Sequence, residues 1–247
     1  MGIVANIWRH PIKSHGREAL EEVVLRAGQA MPWDRHWAIA HEDSDADGSG
    51  WARCLNFSRG ARAPQLAAIH ATLDVDARQL TLTHPDLDDL VFWPDDTPDA
   101  AVAWSKPLVP DGRVQPARLV RAASQAMTDS KWPSVSILNL ASLRDLSNKA
   151  GMTLDMRRFR GNIWLDGLAP WQEFDWIGKT IRIGNVTFDI REPIERCLHT
   201  HDNPETGARD GNTLTVLQSQ WGHKNFGVFG AVTQDGDIRL GDKIEVL

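Results

Sequence analysis

Cysteine is nearly absent: Cys54 and Cys197 are the only two in 247 residues. That is too few for a disulfide framework and is compatible with a reducing compartment. The same scarcity excludes a conventional iron–sulfur cluster, which takes four ligands, usually thiolates. No G-x-G-x-x-G fingerprint follows a predicted strand either, so the chain shows no electron relay of its own. A basic excess is also missing. The net charge of -6 and a pI near 5.8 argue against a nucleic-acid footprint. No apolar run is long enough to span a bilayer, and Met1 to His10 leads straight into a strand-like pattern without the apolar stretch of a signal peptide. The expected location is therefore the cytoplasm, with no membrane contact. Tyrosine is absent beside eleven tryptophans, a usage that carries no functional message.

What is present is an ordinary globular composition, 42% hydrophobic and 24% charged, enough for one large domain or two small ones. Short alternating stretches dominate and predict strands at Gly2 to Trp8, Val23 to Arg26, Trp37 to His41, Leu66 to Leu73, Gln79 to Thr83 and Leu90 to Trp93. Trp93 to Asp99 and Pro107 to Asp111 are rich in proline and aspartate and read as surface connections, with a domain boundary near residue 115. Asn139 to Ala150 predicts a helix with Leu140, Leu143 and Leu146 on one face and Gly151 as its cap. Thr180 to Ile183 and Val186 to Ile190 alternate around Gly184-Asn185 as a hairpin whose second arm ends at Pro193. Phe226 to Leu247 predicts two strand pairs turned by Asp235-Gly236 and Gly241-Asp242. The acidic turn Glu42 to Gly50 has calcium-like spacing but no glutamate at the distance an EF-hand needs, so it reads as a solvated tip.

Chemistry concentrates after the second hairpin arm, in Arg191 to Gly207, where Cys197 follows Arg196 on a polar, turn-rich segment. Three readings compete for Cys197. It is a small buried hydrophobe; or, with His199 and His201 alternating beside it, part of a zinc site that lacks a fourth ligand; or a thiolate favoured by the Arg196 charge. Lys13, Ser14 and the Gly16 backbone form a possible anion cradle. Arg35 and Arg53 are expected to line whatever cleft forms. Met156 to Asn162 holds three arginines, including Arg160, just before the predicted strand Asn162 to Leu165.

At these residues the chain resembles a known family. Glu195-Arg-Cys-Leu-His-Thr200 followed by Asn203-Pro-Glu-Thr-Gly207, together with His10-Pro-Ile-Lys-Ser14, Trp33-Asp-Arg-His36, Phe159-Arg-Gly-Asn162 and Asp235 to Asp242, resembles the MOSC family (molybdenum cofactor sulfurase C-terminal). The likeness is strongest to its amidoxime-reducing branch and spans nearly the whole chain. The family usually has Thr-Thr-Val-Asp-Pro where this chain has Thr200-His-Asp-Asn-Pro204. The resemblance implies a mostly β fold with some α: a MOSC-like β-barrel (116–247) with a smaller β-rich N-terminal subdomain (1–115). It implies a molybdenum-molybdopterin cofactor with Cys197 as thiolate ligand to the metal and catalytic residue. Lys13, Ser14, Arg35, Arg53, Arg160, Asn162, Arg196 and Thr200 would then bind the cofactor. The implied reaction is reduction of N-hydroxylated compounds such as amidoximes and hydroxylamines to amines. Electrons would come from a separate ferredoxin, flavodoxin or cytochrome-type carrier fed by an NAD(P)H reductase. Two alternatives stay open: a non-catalytic carrier of the cofactor or of sulfur on Cys197, and a zinc-bound structural protein.

Overall fold

The computed structural model describes residues 2–247. Its first half contains β1 (Ile3–Arg9), β2 (Glu18–Leu20), β3 (Glu22–Leu25), β4 (Trp37–His41), β5 (His70–Asp74), β6 (Gln79–His84), β7 (Leu87–Phe92), α1 (Pro98–Ser105) and β8 (Pro116–Arg121). The second half adds β9 (Val135–Asn139), α2 (Leu140–Ala150), β10 (Ile163–Asp166), β11 (Thr180–Ile183), β12 (Val186–Glu195), α3 (Thr213–Trp221), β13 (Asn225–Gln234), β14 (Gly236–Arg239) and β15 (Ile244–Val246).

The molecule is mostly β with some α, as the resemblance implies. Its main sheet has eight strands in the order β15-β11-β12-β13-β9-β10-β1-β2. One parallel pair, β9 with β10, is joined through α2, which a parallel connection requires. Strand alternation drives one face inward, where Val4, Ile7, Ile137, Ile163, Ile181, Phe188 and Val228 form a core with at most 1% exposure each. The ladder does not run into a continuous ring. Instead the Val4 amide donates to Asp242 O (2.8 Å) and the Ile244 amide to Gly2 O (3.0 Å), drawing the last strand beside the first and giving the sheet its barrel-like shape. On the outer face, α2 and α3 pack Leu143, Leu146 and Leu217 against Phe159, Trp164 and Phe226. The Asn139 side chain caps α2 by accepting from the Ala141 amide, and Gly151 ends it at φ 66°, the left-handed conformation glycine tolerates.

The N-terminal half adds the two-stranded β4-β8 sheet and the three-stranded β5-β6-β7 sheet, packed around Trp37, Ile39, Leu66, Leu80, Leu82 and Phe92 with Ala101 and Val102 of α1. β1 and β2, though early in the chain, are strands of the main sheet. The loops between β1, β2 and β4 therefore leave the main sheet and enter the N-terminal layer, bringing residues 10–17 and 33–36 to the junction.

Several local expectations are corrected. Leu66 to Leu73 is not one strand: Pro64–Ala68 form a 3-10 turn, Pro64 fixing φ at its start, and only His70–Asp74 is extended. Trp93 to Asp99 is cut short by α1, which begins at Pro98 in the favoured first-turn position. β12 does not stop at Pro193 but continues to Glu195. Register shifts between Ile190 and Glu192 and between Pro193 and Glu195 put the proline where the ladder is already broken, so its missing N–H is tolerated. Asp235-Gly236 does not turn a β13-β14 hairpin. One residue separates the two strands, too few for the two-residue loop, and β14 pairs with β3 while β15 pairs with β11.

Candidate functional site

Five segments meet where the main sheet faces the N-terminal layer, and between them lies a cleft of about 350 Å³. The loop after β1 supplies Lys13 and Ser14; the turn before β4 supplies Arg35; the coil before the Cys54–Asn56 turn supplies Arg53. Arg160 and Asn162 arrive from the segment before β10, and Arg196, Cys197 and Thr200 from the end of β12 and the one-turn helix Leu198–His201 that follows. All nine side chains selected from the sequence thus line one cavity. So do Trp51, Cys54, Arg59, Gly60, Asp129, Ser136, Arg158, Glu195, His199 and Phe229, among others.

Charge is the dominant property of this cleft. Its lining holds seven cationic side chains (Lys13, Arg35, Arg53, Arg59, Arg158, Arg160 and Arg196) and two carboxylates (Asp129 and Glu195), in a chain whose net charge is -6. The cations fall into groups by what they touch. Lys13 is almost fully buried; its Nζ donates to Asp129 Oδ1 (2.6 Å) and Met127 O (2.8 Å), so its charge is already matched. Gly16 contributes a carbonyl that accepts from Arg160 (3.0 Å), which corrects the expected cradle of Lys13 with the Gly16 backbone. Arg35 is paired with the fully buried Asp34 and donates to Arg160 O (2.8 Å). Asp34 also accepts from the His10 amide (2.8 Å). Burial works against the Asp34 charge, but Arg35 and His10 hold the carboxyl far below its ordinary value.

Arg160 and Arg196 are different. Arg160 donates to Gly16 O and Ile12 O, Arg196 to Phe226 O and Phe159 O, and among the described residues neither has a carboxylate within ion-pair distance. Burial pushes each guanidinium down to about 9, and at Arg160 the charges of Arg35 and Arg17 add to it. Both remain charged at neutral pH, so two desolvated cations stand beside the cavity without a counter-ion. Arg53 and Arg59 likewise have no carboxylate partner among the described residues; Arg59 Nη1 lies 3.8 Å from the Cys54 sulfur.

Cys197 opens onto the cleft. Enclosure by the cleft walls raises its thiol above the ordinary value, Asp129 and Cys54 add to the rise, and Arg196 opposes it least strongly of all. Arg196 favours the thiolate, as its place in the sequence suggests, but burial outweighs it in the protein alone. A thiol raised in this way is deprotonated once a metal binds it. Asn162 and Thr200 are scaffolding: Asn162 accepts from Ser136 (2.7 Å) and donates to Trp8 O (3.2 Å), while the buried Thr200 hydroxyl bonds Cys197 O (3.0 Å) and Thr213.

The zinc reading fails on geometry. The helical turn at Leu198–His201 removes the alternation that put Cys197, His199 and His201 on one face, and His201 Nε2 accepts from the Leu214 amide (3.2 Å). Among the described residues no three His, Cys, Asp or Glu side chains are grouped to hold an ion.

The fold and the cleft define a mostly β protein with two cysteines, Cys54 and Cys197, lining a strongly cationic cavity. Two family models match it: the MOSC N-terminal beta barrel domain over residues 1–106 and the MOSC domain over residues 129–245. The chain belongs to the MOSC-domain family. The molybdenum cofactor sulfurase of Drosophila grimshawi is 34% identical over 121 residues, 45% of this chain and 16% of that protein. Molybdenum cofactor sulfurase 2 of Aedes aegypti is 25% identical over 231 residues, 85% of this chain and 28% of that protein. The chain thus spans less than a third of the length of either relative. Among solved structures, the YuaD protein from Bacillus subtilis aligns over 100% of this chain and 96% of its own, at 12% identity and a TM-score of 0.48. YiiM from Geobacillus stearothermophilus aligns over 46% and 53%, at 18% identity and a TM-score of 0.34.

Proposed function

We propose that the protein is a molybdenum-cofactor-dependent oxidoreductase that reduces N-hydroxylated compounds to amines, in the manner of the amidoxime-reducing MOSC proteins it resembles. The observation that carries this reading is the pairing of a cleft-facing thiol, Cys197, with buried cations, Arg160 and Arg196, that have no carboxylate partner. A phosphorylated dithiolene cofactor fits that donor set: its phosphate offers the missing negative charge, and a soft thiolate suits a metal already held by sulfur. When bound, such a cofactor supplies the two-electron chemistry of R–NH–OH + 2 e⁻ + 2 H⁺ → R–NH2 + H2O. The chain's own residues do the rest. Cys197 ligates the metal, Arg160 and Arg196 set the positive potential of the floor, and Arg53 with Arg59 keep free donors at the rim. Trp51 and Phe229 give the cavity apolar walls that exclude water beside the reacting atoms.

Electrons come from a separate carrier of the ferredoxin, flavodoxin or cytochrome type fed by an NAD(P)H reductase, since two cysteines cannot hold a cluster. A cytoplasmic location goes with this reading; no helix among the described residues is long and apolar enough to cross a membrane. The names of the relatives favour a second reading, a non-catalytic carrier of the cofactor or its sulfur on Cys197. The test is metal analysis of the purified protein, followed by benzamidoxime reduction with an artificial electron donor. Molybdenum with turnover supports the reductase, molybdenum without turnover the carrier, and absence of molybdenum after cofactor loading overturns both.

A further inference from the structure

Gly60 lines the cleft directly against the His199 ring: a Cβ built on it would fall 1.7 Å from Nδ1 and 2.5 Å from Cε1. Its φ lies outside the left-handed region, so conformation does not call for glycine here; space does. The same ring nitrogen lies 3.5 Å from Asp202 Oδ2, and these two buried atoms have no hydrogen-bond partner. Asp202 is fully buried, and its other oxygen accepts from Arg209 Nε at 2.8 Å. Arg209 then crosses to the N-terminal half, where Nη2 donates to Gly60 O (3.1 Å) and Ala61 O (3.2 Å). His199 belongs to the single helical turn that starts at Cys197, closed by the Thr200 amide donating to Cys197 O (3.1 Å). His199 and Cys197 thus share one hydrogen-bonded turn, two residues apart. A second fastener holds the far side of the loop, where Arg17 Nη2 donates to Pro204 O (2.7 Å).

We propose that Gly60, His199, Asp202 and Arg209 form a clasp between the two halves that sets the position of Cys197 in the cleft. They are positioning residues, and Cys197 is the group they position. Asp202 falls in the stretch Thr200 to Pro204, where this chain departs from the sequence the family usually has. Metal retention by the clasp depends on the proposed function; its effect on the thiol does not.

The test is the rate of Cys197 alkylation by iodoacetamide, followed at its own peptide by mass spectrometry. It is run with the thermal midpoint on the cofactor-free wild type, Gly60→Ala, His199→Ala and the double variant. Gly60→Ala is expected to change the Cys197 rate by about threefold or more and to lower the midpoint, and His199→Ala in the same chain to restore the midpoint by making room for the methyl. Arg209→Lys, which keeps the charge but cannot reach both carbonyls, is expected to change the rate while the chain stays folded. Wild-type alkylation in both Gly60→Ala and Arg209→Lys would overturn the clasp. So would a double variant that folds no better than Gly60→Ala alone. Molybdenum retained per chain, measured on the loaded proteins, is expected to fall in Gly60→Ala. A changed thiol rate without any molybdenum in the wild type would contradict the proposed function and leave the clasp standing.

Discussion

The arginines on the floor of the cleft and those on its rim have the same charge and opposite duties. Arg160 and Arg196 spend their donors on main-chain carbonyls of separate segments, Gly16, Ile12, Phe226 and Phe159, and so hold the loops together. Arg53 and Arg59 touch no carboxylate among the described residues and bond no main-chain carbonyl. The floor builds the cavity and gives it its potential; the rim is left free to meet a ligand. A guanidinium that keeps most of its donors free is thus the readier direct contact for a ligand, while one bonded to carbonyls acts chiefly through its charge.

The largest effect should come from the floor. Arg196→Ala leaves the Phe226 and Phe159 carbonyls without their donor and removes a guanidinium packed over both rings (5.6 and 5.9 Å). A loss of about 1–3 kcal/mol per unsatisfied carbonyl is expected in urea unfolding; unchanged stability would erase the distinction between floor and rim. At the rim, Arg53→Ala should leave stability within about 0.5 kcal/mol. It should weaken cofactor retention by roughly 1.5–3 kcal/mol, measured as molybdopterin content at purification. A rim variant that unfolds, or keeps full occupancy, reverses the assignment.

Acid probes the floor from beneath. His10 and His15 are buried and neutral: burial, with Arg160 nearby, lowers both, His15 to about 4. Between pH 6.5 and 4 the unfolded chain takes up protons that the native chain refuses. Stability should therefore fall as pH drops through this window, by roughly 1.4 kcal/mol per unit for each such proton. Asp202, pushed up to about 6 by burial, works the other way between pH 6 and 4 and offsets about one histidine. Denaturation midpoints at pH 7 and 5 check the sign; greater stability at pH 5 contradicts it. The smallest effect is expected for Cys54→Ser. Cys54 lines the same cleft, and among the described residues its one side-chain hydrogen bond is with Arg59, so stability should change by under about 0.5 kcal/mol and molybdenum content not at all.

Much of this was legible in the sequence, for identifiable reasons. The α2 helix has its apolar period, an Asn cap and a closing glycine, and the β11-β12 hairpin has Gly184-Asn185 at the turn. All nine candidate side chains line one cleft and lie in short motifs recognisable along the sequence. The partners of those side chains were not legible. Asp129, which takes the charge of Lys13, and Gly60, which makes room for His199, lie on irregular segments with no periodicity and far from their partners in sequence. β14 leaving β13 for β3 depends on pairing across more than two hundred residues, which local alternation does not encode. The raised thiol of Cys197 was not legible because it comes from burial by cleft walls that lie far away in sequence, which outweighs the neighbouring Arg196 charge.

The central claim is that Cys197 is the protein's ligand to a molybdenum cofactor held by this cleft. The measurement that tests it most directly is molybdenum per chain in wild type and Cys197→Ser after identical cofactor loading, with thermal midpoints recorded on both. Molybdenum is expected to bind the wild type and to be lost from Cys197→Ser, while the midpoints of the two proteins before loading are the same. Equal molybdenum in the two proteins would contradict it.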